Sequence, residues 1–408
     1  VRDHVLASMP VLVAAIPVRD EEDRIADCLQ ALAAQQDACL DHVVLLLNNC
    51  TDHTAAIVRA AAPTLPFGVT CAERSYPAAN AHAGTARREA MSLAAGIAGP
   101  DGILFTSDAD GRVTPNWLSA NLAAMALGAE AVCGRAEIDP VEARAIPDHL
   151  HADDAAEVAY GTLLDRIHDL VDPDPNDPWP RHTEHSGASI AVTVDAWARA
   201  GGVPGLASGE DRGFLKALRQ VDVPIRHAAG VVVTVSGRTL GRAPGGMAET
   251  MARRIIRQDE ALDDNLEPAV DCLRRAKARA TLHALFGSRH RAGMAGIASA
   301  RSVSGSSCMA LAKQVGLPPE LIARWLEEPF FGAAWARLEA ESPLLIRRPV
   351  PRADLARHHE AAERIVHALC RQDHHVPARA RVDEPVRSSV PFSRPAGPAG
   401  IHLVVPPG

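Results

Sequence analysis

The chain reads as an α/β protein: a doubly wound, mostly parallel sheet over residues 1–248, followed by a helical region. Three observations predict this. Strand-like segments alternate four or five times with helical ones over the first part of the chain. The strand segments are apolar throughout rather than alternating, as strands covered on both faces are. Beyond residue 248 the patterns are almost entirely helical.

Residues 10–16 read as the first strand, followed by the acidic loop Pro17-Val18-Arg19-Asp20-Glu21-Glu22-Asp23. Ile25, Leu29 and Leu32 then recur at helical spacing, giving an amphipathic helix over 21–35. Glu21, Glu22 and Asp23 either favour the dipole of its first turn or bring one carboxylate to a sugar or base hydroxyl. Residues 42–47 are the second strand, running into Asn48-Asn49-Cys50-Thr51-Asp52-His53-Thr54, with Thr51 or Asp52 capping a helix at 53–61. Asn48 has two readings of similar weight: a turn former, or an amide whose donor and acceptor read a pyrimidine edge. Residues 67–72 form a third, less apolar strand. The helix at about 81–97 carries small residues at 83, 84 and 86, which allow close approach, and the cations Arg87 and Arg88. Arg suits bidentate contact with phosphate, but for either arginine alone a solvated face is the better reading.

The stretch from Gly102 to Gly111 organises the chain. Ile103-Leu104-Phe105-Thr106 reads as a buried strand that ends in Asp108-Ala109-Asp110. Ligands of open α/β sheets bind at that carboxyl end, and two hard oxygen ligands there suit Mg²⁺ or Mn²⁺ and hence a diphosphate. Taken alone, the motif reads better as an Asp-rich turn capping the strand, since Asp-x-Asp-Gly is good turn chemistry; the rest of the chain changes that. Pro115 starts a helix through about 127, and 130–138 is another strand. A helix spans 153–171. The proline-rich segment 172–180 is a loop whose Trp179 either stacks on a sugar or pins the loop. A strand entered through Gly187 leads to a short helix from Asp195. Glu210 and Asp211 open a further helix, where they favour its dipole or supply a general base. Strands at 223–227 and 230–236 lead into Gly237-Arg238-Thr239-Leu240-Gly241-Arg242-Ala243-Pro244-Gly245-Gly246, a cationic loop able to fold over a diphosphate. Helices are expected at 249–262, 267–285, 318–328 and 352–371, with a small-residue loop at 302–307; the helical region ends near 376, and residues 377–408 form a disordered tail.

Composition narrows the class. With 42 basic against 50 acidic residues, the formal charge of −8 argues against a non-specific nucleic-acid binder. The eight cysteines include no Cys-x-x-Cys pair, which disfavours zinc-ribbon and thioredoxin-like sites and fits reduced thiols in the cytoplasm. No cationic-then-apolar leader and no apolar run of about 20 residues is present, so a transmembrane segment is not expected, while a peripheral membrane contact stays compatible. The first strand lacks a Gly-x-Gly-x-x-Gly turn, and no P-loop occurs.

Four motifs, in order, resemble those of the family 2 glycosyltransferases, which have the GT-A fold. Ile16-Pro17-Val18-Arg19-Asp20-Glu21 is similar to the opening strand and its Pro-x-x-Asn/Asp-Glu loop. Asn48 to Thr54 is similar to the Asp-Asp-Gly-Ser-Thr-Asp-x-Thr segment, Asp108-Ala109-Asp110 to the Asp-x-Asp metal motif, and Gly209-Glu210-Asp211 to the Glu-Asp motif that supplies the base. The resemblance covers roughly residues 10–245. It implies a nucleotide-diphosphosugar donor, with a UDP- or GDP-sugar favoured, and Mg²⁺ or Mn²⁺ on Asp108 and Asp110. It also implies donor contacts from Pro17, Arg19, Glu21, Asn48, Arg87, Asp108, Arg238 and Arg242, and Asp211, beside Glu210, as base. Two departures stand out: the family's nucleotide-binding Asp falls on Asn48, with Leu47 before it, and a Gln-x-x-Arg-Trp motif is missing, which argues against a processive synthase.

The expected activity is transfer of one sugar to an acceptor hydroxyl, with inversion if Asp211 is the base. Three alternatives stay open: a retaining GT-A transferase acting on a small anionic acceptor such as a phosphorylated glycerate, a nucleotidyltransferase, and a catalytically degenerate GT-A domain acting as a binding module.

Overall fold

The computed structural model describes residues 9–238, 262–263, 265–294, 305–373 and 401–404. The apolar runs become β1 (Leu12–Val18), β2 (His42–Asn48), β3 (Gly68–Arg74) and β4 (Ile103–Thr106), all paired in parallel in the order β4-β1-β2-β3. Between them lie α1 (Ile25–Ala33), α2 (Thr54–Ala61) and α3 (Ala83–Ala98). The chain continues through β5 (Arg112–Val113), α4 (Trp117–Ala126), β6 (Ala131–Ile138) and the long α5 (Asp148–Val171). Then come β7 (Ile190–Thr193), α6 (Val194–Arg199), α7 (Glu210–Gln220) and β8 (Ile225–Val235). With β9 (Ile401–Val404) at the far edge, the sheet order is β5-β8-β6-β7-β4-β1-β2-β3-β9, with β7 antiparallel to both its neighbours.

The sheet is covered on both faces, which is why its central strands needed no polar alternation. Ala14, Ile16, Val43, Leu45 and Phe105 pack with α1 and α4 on one side. Their sequence neighbours Val13, Ala15, Val44, Leu46 and Leu104 pack with α3 and α7 on the other. The small residues in α3 serve the close approach expected of them: a Cβ on Gly84 would stand 2.0 Å from the Leu206 carbonyl oxygen.

Several expectations need correction. The first helix starts at Ile25, not 21, because the Glu21 carbonyl closes a turn by accepting the N–H groups of Arg24 and Ile25 at 3.0 and 2.9 Å. The two strands expected at 223–236 are one, β8, whose middle bows out where the β6 register jumps between Cys133 and Arg135. Pro115 stands two residues ahead of α4 rather than within its first turn.

The C-terminal part is helical: α8 (Ala269–Met294), α9 (Gly305–Val315), α10 (Pro319–Trp325), α11 (Phe331–Glu341) and α12 (Leu355–Asp373). Gly305 to Ser307, read as loop, begin α9, and neither α9 nor α11 was anticipated. Helix α5 packs Tyr160, Leu164 and Ile167 against Ala269, Cys272 and Ala276 of α8, so the helices share a core with the sheet-bearing part. Most of the helix expected at 249–262, and of the tail at 377–408, lies outside the described residues. Within the tail, Ile401–Val404 is not disordered: it forms β9, a parallel strand on the open edge of β3, where unpaired backbone groups accept an apolar, partly β-branched segment. No described helix is long and apolar enough to cross a membrane.

Candidate active site

The parallel neighbours β4, β1 and β2 end at the same edge of the sheet and deliver Ser107–Asp110, Pro17–Glu21 and Asn48 side by side. The loops after β1 and β2 hold one another. Asp20 and Asn49 take positive φ values of 50° and 53°, which their residue types tolerate. Asp20 Oδ1 accepts the Thr51 N–H at 2.7 Å, Glu22 Oε2 accepts the His53 N–H at 2.9 Å, and Thr54 Oγ1 accepts the Glu21 N–H at 2.8 Å. Asp20 and Glu22 are therefore spent on the loop, while Glu21 is buried at the cleft wall.

Arg87 joins the two carboxylate motifs. Its side chain is only 5% exposed. Nη2 donates to Asp108 Oδ1 at 2.6 Å, Nε to Glu210 Oε1 at 3.1 Å, and Nη1 to Thr106 Oγ1 and the Gly187 carbonyl at 2.7 and 2.9 Å. The solvated-face reading therefore holds for exposed Arg88 and fails for Arg87, and the guanidinium is committed to protein partners rather than offered to a phosphate. Its charge is held by Asp108 and Glu210 against the burial that would lower its pKa.

At the sheet edge, Arg238 bridges Glu21 and Asp110, with Nη1 to Glu21 Oε2 at 2.9 Å and Nη2 to Asp110 Oδ2 at 3.1 Å. Burial, with Asp108 adding, pushes the Asp110 carboxyl up to about 6 although Arg238 opposes the shift. Asn48 is 2% exposed; its amide donates to the His82 carbonyl at 3.3 Å, and its Oδ1 has no hydrogen-bond partner among the described residues. Arg19 donates to the Ala81 carbonyl at 2.7 Å.

On the opposite side, Asp211 accepts the Gly187 N–H at 3.0 Å through Oδ2 and the Arg212 N–H at 2.7 Å through Oδ1, which fixes its orientation. Glu210, buried against Arg87, is the anchor of the pair. Pro17, Arg19, Glu21, Asn48, Arg87, Asp108, Asp110, Glu210, Asp211 and Arg238 all line one cleft. Arg242 lies outside the described residues. Trp179 does not line the cleft; the Arg166 guanidinium sits 5.0 Å above its ring, so it pins the loop to α5.

Sequence reasoning missed a histidine cluster in the same cleft. His227 Nδ1 lies 2.7 Å from Asp177 Oδ2, and its Nε2 lies 3.3 Å from His185 Nδ1. Burial opposes charge on His227, yet the Asp177 hydrogen bond, with Cys133 behind it, raises it to about 9. Burial, together with the His227 charge, holds His182 down to about 4. These residues come from a loop and from β8, and only His185, two positions before Gly187, stood near a recognised motif.

Residues 14–175 match the family described as Glycosyl transferase family 2. No curated protein sequence matches the chain. Among solved structures, the chain is similar to S. aureus TarS (1–349) in complex with UDP-GlcNAc, at 16% identity and a TM-score of 0.42, over 89% of this chain and 92% of that one. It is likewise similar to the mannosyltransferase PcManGT of Pyrobaculum calidifontis in complex with GDP-Man and Mn²⁺, at 16% identity and a TM-score of 0.40, over 90% and 88%. A third similar structure is the glucosyl-3-phosphoglycerate synthase of Mycobacterium tuberculosis, at 15% identity and a TM-score of 0.35, over 60% and 77%. The strand order, the carboxylates at its edge and the family match over residues 14–175 agree: the chain carries a glycosyl transferase family 2 domain with the GT-A fold, and is a glycosyltransferase.

Proposed function

We propose that this cleft transfers a single sugar from a nucleotide-diphosphosugar to an acceptor hydroxyl with inversion, Asp211 acting as general base. The observation that carries the reading is the Arg87 bridge, which ties Asp108 at 2.6 Å and Glu210 at 3.1 Å into one rigid frame. Donor and base motifs 102 positions apart in the chain thereby face one cleft. Glu21 and Asn48 hold the nucleoside; the orphaned Asn48 Oδ1 is an acceptor in want of a donor such as a base N–H.

The donor set fits a hard divalent cation. Asp108, Asp110 and Glu21 crowd together, and burial with that crowding already disfavours a charged Asp110. Asp108 and Asp110 would hold Mg²⁺ or Mn²⁺, with Arg238 yielding Asp110, and such an ion neutralises charge on a leaving diphosphate. Asp211, oriented by the Gly187 N–H, takes the acceptor proton as the hydroxyl attacks. Attack from the face opposite the leaving group inverts the anomeric centre.

The test is Asp211→Asn. Nucleotide affinity should stay within about twofold while donor turnover falls by roughly 10²–10⁴, the usual contribution of a general base. Undiminished turnover would assign the proton to another group. A product of retained anomeric configuration, read by NMR, would favour the retaining alternative.

A further inference from the structure

The helix that begins with Glu210-Asp211 carries three more residues into the same cleft. Arg212, Lys216 and Arg219 recur at i, i+4 and i+7, so they form one stripe along α7, about 10 Å long at 1.5 Å per residue. All three are exposed to the cleft. Lys216 is one of only three lysines in the chain.

The carboxylates around this stripe are committed elsewhere. Asp165 pairs with Arg181 at 2.9 Å, and Asp177 with His227 and Arg226 at 2.7 and 3.1 Å. Asp172 takes Arg279 and His283, and Asp222 accepts the Phe331 and Gly332 N–H groups, each at 2.7 Å. Asp263 takes Arg212 at 2.9 Å. The Lys216 and Arg219 side chains alone of the stripe make no hydrogen bond or ion pair among the described residues. The surrounding protein also desolvates Arg219, which lowers its pKa. Asp177 and Asp165 offset that desolvation only in part, so among the described residues these two cations keep hydrogen-bonding capacity for an anion.

We propose that this stripe is an acceptor subsite for a phosphate group: Lys216 and Arg219 bind a phosphate on the acceptor while Asp211, two helical turns away, meets its hydroxyl. An Arg fork beside a Lys point charge matches a phosphate monoester, with two charges, better than a carboxylate with one. The proposal rests on the transferase reading and adds the acceptor class to it.

The full chain is titrated calorimetrically with sn-glycerol 3-phosphate, and with glycerol as the neutral control. Wild type, Lys216→Ala, Arg219→Ala and Arg219→Lys are compared, and nucleotide binding is measured on the same samples. The phosphate should bind and glycerol should not. Each alanine should weaken phosphate binding about tenfold, Arg219→Lys should restore part of it, and nucleotide affinity should stay within twofold. Urea midpoints are measured on the same variants, so that binding is compared between folded proteins only. Phosphate binding that is absent, or equal in all variants as it would be in the donor site, overturns the subsite while nucleotide binding stands. Absence of nucleotide binding in the wild type overturns both readings together.

Discussion

Removing Arg87 separates a structural bridge from a phosphate ligand. In Arg87→Ala the buried Glu210 carboxylate, its side chain 10% exposed, loses its cation, and the Gly187 carbonyl loses a donor at 2.9 Å. Breaking a buried pair from one side costs about 3–5 kcal/mol. The Asp108 share is discounted, because that side chain is 37% exposed and water screens it. With an m-value of about 3 kcal/mol per M, the urea midpoint should fall by roughly 1–1.7 M. Arg87→Lys keeps the charge but not the fork that reaches Asp108, Glu210 and Gly187 together, so it should lie between the two. The assay is urea unfolding of both variants, with nucleotide binding on the folded fraction. A midpoint unchanged within about 0.2 M, combined with a tenfold loss of nucleotide affinity, would refute the bridge and restore Arg87 as a phosphate ligand.

Two further outcomes follow from the same geometry. Gly187→Ala places a Cβ 2.8 Å from the Arg87 Cζ and Nη2; this overpacking should cost about 1–3 kcal/mol and lower turnover more than nucleotide affinity, and a fully active, equally stable variant would contradict it. His227 has a folded pKa raised from 6.5 to about 9, so its charged form stabilises the fold. That contribution is complete below pH 6.5 and is lost as pH rises through 9. It amounts to about 3 kcal/mol at most. The stability difference between wild type and His227→Gln should shrink over that window; a difference constant from pH 6.5 to 9.5 would contradict the assignment.

Much of the sheet was legible because its central strands are locally unambiguous. Ile103 to Thr106 is apolar and ends in two aspartates, and burial on both faces leaves that pattern no competitor. The position of Asp108 and Asp110 at the strand end followed directly. What stayed hidden depends on pairing across the chain. Nothing local distinguishes Arg87 from Arg88; one turns inward because Gly187 and Glu210, 100 and 123 positions on, surround it. The β8 strand was split because Ala228 to Gly230 are weak strand formers, held in place only by their β6 neighbour. The Asp177–His227 contact joins a proline-rich loop to that same strand. Arg238 was read as a donor ligand, and its engagement with Glu21 and Asp110 needed the fold to be seen. Helix α11 was missed because its small residues give weak periodicity, and its N-terminus is fixed by Asp222 from another element.

The most direct measurement is calorimetric binding of UDP, GDP, CDP and dTDP, each with and without Mn²⁺, to the wild type and to Asp110→Ala. The account predicts that one nucleotide binds, that the binding depends on metal, and that Asp110→Ala removes the metal dependence together with most of the affinity. No binding of any nucleotide under either condition would contradict it and would leave the domain as a binding module without transferase chemistry.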